Sequence, residues 1–421
     1  MRSAKKYKGF VFLMKAKPLM LIVLCSIIMA SIPGLIFIFE RNRRLIMISF
    51  WERESLLHYD VIIIGSGIVG LQTAIQVKEK HPNYEVLILE RGLLPSGAST
   101  RNAGFAATGS LSELVEDAKH TSETALIDLF SKRKAGIDFL RAQLGDAAIG
   151  YTPEGSHELL RAAEAEIIGH IDHYNQLLKE VSGGNSFVLA DEQIETFGFS
   201  PGRFRHCIAC TTEAALHTGK LIKSLLHLAL KKGVEIKTGA EVSHIENLNG
   251  KNLVLVKDGF HDSISFEAPQ VIVCTNAFSK RFFPEADIQP GRGQVLVTHP
   301  IEDLKVKGIF HFDQGYYYFR NVGNRVLFGG GRNLDFTTEN TTEISLNQQI
   351  QDQLIHLLKT ELLPGQDFEI DMQWSGIMAF GTTKMPIIKS LEGNIHGGFR
   401  LGGMGVALGS MVAVELAQRI E

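Results

Sequence analysis

Apolar residues near the start of the chain's main body form short blocks that predict a strand, a helix and a second strand. The β-branched run from Asp60 to Ile64 is typical of a buried parallel strand. Residues Leu71 to Lys80 have helical spacing, and Glu85 to Leu89 form another short apolar run. This order predicts a βαβ unit, which is the building block of a parallel sheet.

Helical and strand-like patterns alternate through the middle of the chain. Helices are predicted over Asp117–Leu144, Glu158–Val181 and Lys220–Lys232. Two short apolar runs, Val234–Ile236 and Val271–Cys274, predict further strands of the first sheet. The parallel-sheet pattern therefore extends well beyond the first βαβ unit.

A different pattern follows, and it indicates a second kind of sheet. Alternating positions predict antiparallel strands over Gly293–Val297, Gly315–Arg320 and Arg325–Phe328. Helices are predicted over Ile344–Leu363 and Gly402–Ile420, so parallel-sheet elements return at the end of the chain. We therefore predict an α/β protein in which a Rossmann-like dinucleotide-binding domain is interrupted by an α+β domain with a mostly antiparallel sheet.

The length of 421 residues favours two domains, and the pattern places their boundaries. We assign 1–54 to an N-terminal extension, 55–145, 211–284 and 373–421 to the nucleotide domain, and 146–210 and 285–372 to the substrate domain.

The N-terminal extension is strongly apolar. Leu19 to Phe39 carries no charge and is long enough to cross a bilayer, which takes about 20 residues. Basic residues flank it: Lys5, Lys6, Lys8, Lys15, Lys17, Arg41, Arg43 and Arg44. Three interpretations stay open: a membrane anchor, a secretory signal, or an upstream extension of a protein that begins at Met47. A membrane association through this segment is therefore one of the predicted alternatives.

Composition narrows the function classes. The net charge is −3, so no basic face is indicated and nucleic acid is not a predicted partner. The four cysteines, Cys25, Cys207, Cys210 and Cys274, are too few for a disulfide framework, which predicts reduced thiols and a cytoplasmic location. The fifteen histidines show no metal-ligand spacing, so no metal is predicted.

The first motif that carries chemistry is a glycine fingerprint between the first strand and the first helix. The pattern Gly-x-Gly-x-x-Gly allows a tight turn, close approach of a pyrophosphate to the backbone and close packing of the helix on the sheet. An acidic residue about twenty positions on is suited to bind ribose hydroxyls. The predicted dinucleotide contacts are Gly65, Gly67, Ile68, Val69, Gly70, Glu90 and Arg91.

A loop after the second strand favours FAD over NAD. It combines small residues, hydroxyls and a long cation, which suit a chain passing beside a pyrophosphate and under a ring system. The predicted contacts in this loop are Ser99, Thr100, Arg101, Asn102, Ala103 and Gly104.

With these motifs, residues 59–421 resemble the D-amino-acid oxidase-type FAD-dependent oxidoreductases, the family of glycine, sarcosine and γ-glutamylputrescine oxidases. Four more segments support the resemblance: Ala240–Val242, Val271–Ala277, Arg292–Gln294 and Gly402–Leu408. The resemblance implies further FAD contacts at Val242, Thr275, Asn276, Gly403, Met404, Gly405, Val406 and Ala407. No cysteine or histidine lies in the C-terminal loop, so the FAD is predicted to be non-covalent.

The resemblance also implies a reaction, hydride transfer from a carbon that bears nitrogen to flavin N5, with a small amine or amino acid as substrate. Aromatic residues of the antiparallel sheet would cover the flavin. The catalytic candidates are Tyr317, Tyr318 and Arg320. Strand alternation puts Tyr318 and Arg320 on one face and Tyr317 on the other, and leaves open which face meets the flavin.

Two departures from the family pattern bear on the substrate and the electron acceptor. Met378, Ala379 and Phe380 stand where amino-acid oxidases place a carboxylate-binding arginine. Either Arg332 or Arg320 substitutes for it, or the substrate lacks that carboxylate. The strand Arg325–Phe328 has no lysine of the kind that helps oxygen react in sarcosine oxidases. Oxygen and quinone therefore both remain predicted acceptors.

Besides amine oxidation, three other hypotheses are compatible with the sequence. A membrane-associated dehydrogenase would pass electrons to quinone, and a flavoenzyme could instead modify tRNA, although the chain lacks a basic patch. A flavin-binding protein without turnover is the third.

Overall fold

A computed structural model describes residues 48–199, 202–248, 250–259 and 262–421. The apolar segment Leu19–Phe39 and the predicted start at Met47 lie outside the described residues. Among the residues that are described, no helix has the length and apolar character needed to cross a membrane.

Helices and strands both occur throughout the described chain. The helices are α1 (Phe50–Leu56), α2 (Ile68–Lys80), α3 (Leu111–Asp117), α4 (Glu123–Leu144), α5 (Asp146–Ile149), α6 (Ile171–Ser182), α7 (Gln193–Thr196), α8 (Thr218–Lys231), α9 (Phe336–Glu339), α10 (Gln348–Leu357) and α11 (Gly405–Gln418). The strands are β1 (Val61–Ile64), β2 (Val86–Leu89), β3 (Phe105–Ala106), β4 (Ser156–Leu160), β5 (Phe187–Leu189), β6 (His206–Cys210), β7 (Ala214–Ala215), β8 (Glu235–Lys237), β9 (Val242–Leu248), β10 (Lys251–Asp258), β11 (Asp262–Ala268), β12 (Gln270–Val273), β13 (Gln289–Thr298), β14 (Ile309–Phe312), β15 (Tyr317–Val322), β16 (Arg325–Gly330), β17 (Ile370–Phe380), β18 (Ile387–Leu391) and β19 (Ile395–Phe399).

The first sheet has six strands in the order β18–β19–β12–β1–β2–β8. Its strands are parallel except for the β18–β19 pair. Every residue of β1 and β2 is buried, because helices α2, α8 and α11 cover one face and the sheet β9–β11 covers the other. This arrangement confirms the predicted Rossmann-like α/β fold.

The second sheet has eight strands in the order β17–β13–β16–β15–β14–β4–β6–β5. All neighbouring pairs are antiparallel except β14 with β4. One face packs on a phenylalanine-rich core that includes Phe310, Phe312, Phe319 and Phe328, under helix α10. The prediction of a mostly antiparallel second sheet is confirmed, and its opposite face meets the first domain.

The predicted helix over Glu158–Val181 is wrong at its start, and Ala162–His170 is a 3-10 helix rather than an α-helix. Strand β4 occupies residues Ser156 to Leu160, between β6 and β14, and only Ile171–Ser182 is α-helical at the end of the segment. The apolar pair Leu159 and Leu160 fits either period, and pairing with two distant strands decides for the extended form. Sheet pairing therefore overrides the local pattern.

One predicted helix start and one predicted domain boundary differ from the structure. The helix predicted from Asp117 begins at Glu123, where Ser122 accepts a hydrogen bond from the backbone N–H of Ala125 as the N-cap. The domain boundary predicted between residues 372 and 373 cuts through β17, which pairs with β13 from Ile370 to Phe380. The whole of β17 therefore belongs to the second sheet.

Candidate active site

A cavity of about 730 Å³ lies between the two sheets. One end is formed by the fingerprint and the strand ends of the first sheet, and the other by the face of the second sheet. Its lining contains most of the predicted cofactor contacts: Gly65, Gly67, Ile68, Val69, Glu90, Arg91, Ser99, Arg101, Asn102, Ala103, Val242, Thr275, Asn276, Gly403, Met404, Gly405 and Val406.

The fingerprint glycines hold helix α2 against the cavity wall. Gly65 has φ +101°, and a Cβ there would lie 2.9 Å from the carbonyl oxygen of Cys274. A Cβ on Gly70 would overlap the carbonyl oxygen of Gly65, so only glycine allows this approach. Gly67 is the N-cap of α2, and the first amides of the helix therefore face the cavity with the positive end of the helix dipole.

Glu90 is fixed at the carboxyl end of β2. It is 5% exposed and accepts hydrogen bonds from the backbone N–H of Ser66 (3.0 Å) and of Gly92 (3.0 Å). Next to it the guanidinium of Arg91 lies 3.8 Å from the ring centroid of Phe278. The acid, the helix amides and the open space above Gly67 are the features that the diphosphate and ribose of a dinucleotide need.

The loop after β2 connects the fingerprint to the second sheet. The Ser99 hydroxyl accepts a hydrogen bond from the Ile68 N–H at 3.0 Å. Arg101 donates to the Ser375 carbonyl at 3.0 Å, and the Trp374 indole N–H donates to the Arg101 carbonyl at 3.0 Å. The loop therefore crosses the cavity from α2 to β17.

The remaining predicted cofactor contacts, Gly70, Thr100, Gly104 and Ala407, are outside the cavity lining. Thr100 donates to the Pro95 carbonyl at 2.8 Å, and a Cβ on Gly104 would overlap the Leu216 carbonyl oxygen. The carbonyl of Ala407 faces Gly136 of α4 so closely that only glycine fits there. In this structure these four positions shape the surrounding backbone, and their assignment as FAD contacts stays a prediction.

Of the three predicted catalytic residues, Tyr318 lies in the cavity. Its ring covers Gly329 and meets Phe105 edge-to-face, with centroids 5.9 Å apart. Burial raises the pKa of Tyr318 to about 12, so its hydroxyl stays protonated at neutral pH.

The other two lie outside the cavity lining, and their assignment is corrected. Tyr317 is 4% exposed and stacks on Phe312 in the aromatic core, because strand alternation turns it to the opposite face. Arg320 donates to the carbonyls of Gly104 (2.8 Å) and Leu216 (2.7 Å) and so joins the two domains. Burial lowers the pKa of Arg320 to about 10.

Arg332 is the arginine that reaches the cavity. Its guanidinium lies 4.5 Å from the ring centroid of Phe380 and 5.0 Å from that of Phe336. Its Nε is buried and donates no hydrogen bond to any described residue. Arg332 also forms no ion pair within the described part of the chain. Burial lowers the pKa of Arg332. A half-buried cation on a cavity wall that forms no ion pair with the residues the structure describes is a binding point for an anion.

A charged cluster that no sequence motif predicted lies at the inner end of the cavity. Glu113, Glu213, His311 and Lys384 line this end. Burial alone would raise the pKa of Glu113, but Arg133 at 3.0 Å and Lys384 at 2.8 Å lower it to about 2. These residues come from four separate elements, so no local motif signals them.

The described cysteines are buried, free thiols, and none belongs to the charged cluster at the inner end of the cavity. Cys207 and Cys210 lie on β6 and are buried, and burial raises the pKa of both thiols to about 12. Within the described ranges, no group of three or more histidine, cysteine or acidic side chains has the geometry of a metal site.

Comparison with known proteins agrees with this geometry. The sequence profile of the family described as FAD dependent oxidoreductase matches residues 60–419. Among curated proteins, the bifunctional protein ThiO/ThiG of Synechocystis sp. is 26% identical over 301 residues. That match covers 68% of this chain but 40% of the Synechocystis protein, so the chain spans less than half of that relative.

Solved structures share the fold. The crystal structure of glycine oxidase from Geobacillus kaustophilus superposes with a TM-score of 0.68 at 18% identity, covering 87% of this chain and 96% of that chain. Iminodiacetate oxidase from Chelativorans sp. BNC1 gives a TM-score of 0.66 at 20% identity, covering 85% and 94%. At these identities the likeness concerns the fold alone.

Proposed function

The chain belongs to the FAD-dependent oxidoreductase family, and from this premise we propose that it oxidises the C–N bond of a small amine or amino acid that carries an anionic group. FAD, when bound, supplies a two-electron acceptor for the hydride on the carbon next to nitrogen. The resulting imine would be hydrolysed by water. The observation that carries the proposal is that Tyr318, on the sheet face, and Arg332, in the turn after β16, both line the FAD cavity.

The residues present fit FAD, and we assign their parts in holding it. Gly65, Gly67 and the first amides of α2 would hold the diphosphate, and Glu90 would hold the ribose. Val242 at the start of β9 would face the adenine. At the other end, Gly402 and Gly403 have φ values of +54° and +82°, and they lead into α11, whose N-terminus lines the cavity and would stabilise negative charge on the reduced flavin.

The substrate side of the cavity is apolar except for a few groups. Met378 approaches Gly293 and Gly403, in the place where the family resemblance puts an arginine. The cation is instead Arg332, packed on Phe380 and Phe336. We propose that this arginine holds the carboxylate or another anionic group of the substrate, while Tyr318 covers the reacting carbon.

A visible spectrum followed by anaerobic titration tests this function. We expect purified protein to show flavin absorption that bleaches with glycine, sarcosine or iminodiacetate, and much less with ethylamine, which lacks the carboxylate. Reoxidation by oxygen and by a soluble quinone would then be compared, because the strand Arg325–Phe328 has no lysine to favour oxygen. Flavin that no amine bleaches would contradict C–N oxidation while leaving the FAD cavity in place.

Arg332→Met is expected to raise KM for the anionic substrate by about 10- to 100-fold, because a charged hydrogen bond contributes about 1.5–3 kcal/mol. Methionine keeps the apolar contact with Phe380, so kcat should change less. Steady-state kinetics on the substrate found above, together with ethylamine, make the measurement.

Arg325→Met is the matched control, since Arg325 lies at the start of β16, the strand before Arg332, pairs with Asp371 and does not line the cavity. Equal KM values for Arg332→Met and the wild type would mean that the anion is held elsewhere.

A further inference from the structure

Two aromatic side chains at the Arg332 end of the cavity expose a large part of their apolar surface. Tyr316 directly precedes β15 and Phe336 begins α9, and both side chains line the cavity. Tyr316 is 41% exposed and Phe336 is 46% exposed, and their rings meet edge-to-face with centroids 6.1 Å apart. Apolar surface that a cavity wall leaves open to solvent is a contact area for an apolar group of a ligand.

These two rings lie next to the atoms of Arg332 that can bind an anion. The guanidinium carbon of Arg332 is 5.0 Å from the centroid of the Phe336 ring. Unlike Nε, the two Nη groups of Arg332 are not buried, and they donate no hydrogen bond to any described residue. A carboxylate bound to these Nη groups therefore brings the rest of an amino acid next to Phe336 and Tyr316.

The neighbouring wall of the second sheet continues the apolar surface. Tyr318, Met378 and Phe380 all line the cavity on this side. A Cβ on Gly293 would lie 2.9 Å from Cε of Met378 and 3.9 Å from the Tyr318 hydroxyl, so these two side chains close over the glycine. An apolar group of a substrate that leaves the two exposed rings therefore meets further apolar contacts deeper in the cavity.

The other lysine and arginine side chains of the cavity wall are committed elsewhere. They are Arg91 and Arg281 at the dinucleotide end, and Arg101 and Lys384 near β17. Lys384 lies 2.8 Å from a carboxylate oxygen of Glu113 and 2.8 Å from one of Asp117. Arg101 belongs to the predicted FAD loop and donates to the Ser375 carbonyl at 3.0 Å. Among the described residues, a second substrate carboxylate would therefore have to compete for Lys384 or stay without a cation, which is costly.

Resting on the amine oxidation proposed above, we propose that the substrate is an amino acid with one carboxylate and an apolar substituent next to its amine. Arg332 holds the carboxylate, and Tyr316 and Phe336 contact the apolar substituent and so determine specificity. Glycine fits this cavity less well because it lacks the apolar group. Iminodiacetate fits less well because it carries a second carboxylate in place of that group.

Binding of simple carboxylates to the FAD-loaded protein tests the two rings without turnover. Isothermal titration calorimetry gives Kd for acetate, butyrate, hexanoate and glutarate. We expect Kd to fall by about 3- to 4-fold for each methylene added between acetate and hexanoate, because each methylene loses contact with water. Glutarate should bind more weakly than butyrate, since it adds a carboxylate to the same chain of carbons.

Three variants locate this selectivity. Phe336→Ala and Tyr316→Ala should each weaken hexanoate binding on the order of 10-fold, because part of the apolar contact is lost. Both should leave the affinity for acetate nearly unchanged, and acetate therefore reports separately on Arg332. Leu334→Ala is the matched control, because Leu334 is 40% exposed in the same turn but lies outside the cavity lining.

Anaerobic flavin reduction extends the comparison to substrates. N-benzylglycine and the two enantiomers of phenylalanine carry one carboxylate and an apolar group, and they are compared with glycine and iminodiacetate. We expect at least one of the apolar compounds to give a second-order rate constant of flavin reduction at least about 10-fold above those of glycine and iminodiacetate. Phe336→Ala should narrow this difference, whereas Leu334→Ala should preserve it.

Equal Kd values for acetate and hexanoate in the wild type would overturn the inference. So would a hexanoate affinity that Phe336→Ala and Tyr316→Ala both leave unchanged, or fastest flavin reduction by iminodiacetate. If no amine reduces the flavin although hexanoate binds through the two rings, the proposed amine oxidation fails, and the apolar carboxylate site is retained.

Discussion

Glu339→Ala is expected to lower the free energy of unfolding by about 3–5 kcal/mol, because it leaves a buried guanidinium without its counter-ion. Arg292 on β13 and Glu339 at the end of α9 are 4% and 0% exposed. They form two parallel hydrogen bonds, Nη2 to Oε1 at 2.7 Å and Nε to Oε2 at 3.0 Å. Gln294 and Asn347 also donate to this carboxylate, at 2.9 Å each. Removing the carboxylate therefore takes an acceptor from four N–H donors, of which Nδ2 of Asn347 keeps a second acceptor in Asp335 at 3.2 Å.

Urea unfolding of the FAD-saturated protein measures this loss. Glu343→Ala is the matched control, because Glu343 is exposed and its hydrogen bond with Arg292 is made by its backbone carbonyl, which the substitution keeps. The double variant Arg292→Met with Glu339→Leu should be less destabilised than Glu339→Ala, since it removes the buried charge together with its partner. A Glu339→Ala protein as stable as the control would mean that water reaches Arg292 and replaces the carboxylate.

Gly67→Val is expected to weaken FAD binding on the order of 100-fold or more, because added side-chain atoms overfill the diphosphate site. Gly67 has φ −71°, a conformation that valine adopts without strain, so the backbone itself does not forbid the change. A Cβ there would lie 2.9 Å from the Ser99 hydroxyl, which is the wall of the cavity next to the first amides of α2. The loss should therefore appear in cofactor binding before it appears in folding.

The ratio of flavin absorbance to protein, before and after incubation with FAD, gives the measurement, and circular dichroism reports the fold. Gly169→Val is the control, because a Cβ at Gly169 meets nothing within 4 Å and the residue lies outside the cavity lining. A Gly67→Val protein that retains a full complement of FAD would show that the diphosphate lies elsewhere.

The cofactor side could be predicted from sequence because its signals are local. The turn after β1 needs Gly65 at positive φ, and the approach of α2 needs Gly70, so both requirements are written within six consecutive residues. The acid at the end of β2 follows from the same βαβ unit. Four predicted contacts lie outside the cavity lining, and a motif does not distinguish residues that touch a ligand from those that support its neighbours.

The residues on the substrate side of the cavity could not be assigned from the sequence, because their positions depend on contacts between distant segments. Strand alternation separated Tyr317 from Tyr318, but only the packing of the phenylalanine-rich core showed that Tyr317 faces inward and Tyr318 faces the cavity. The sequence makes Arg320 and Arg332 equal candidates for an anion site. In the structure, Arg320 donates to two backbone carbonyls instead. The direction of the two tyrosines and the partners of the two arginines are both set by packing against segments distant in the sequence.

The sequence by itself determined the fold class, the dinucleotide fingerprint and the family, because hydrophobic period and glycine spacing act over a few residues. Tertiary structure alone decided that residues 156–160 form a strand rather than a helix, and that Glu213 and His311 meet at the cavity. These two residues are far apart in the chain and come together through the eight-stranded sheet. Their charge interaction depends on distance in space and on exclusion of water, and neither quantity can be read from the order of residues.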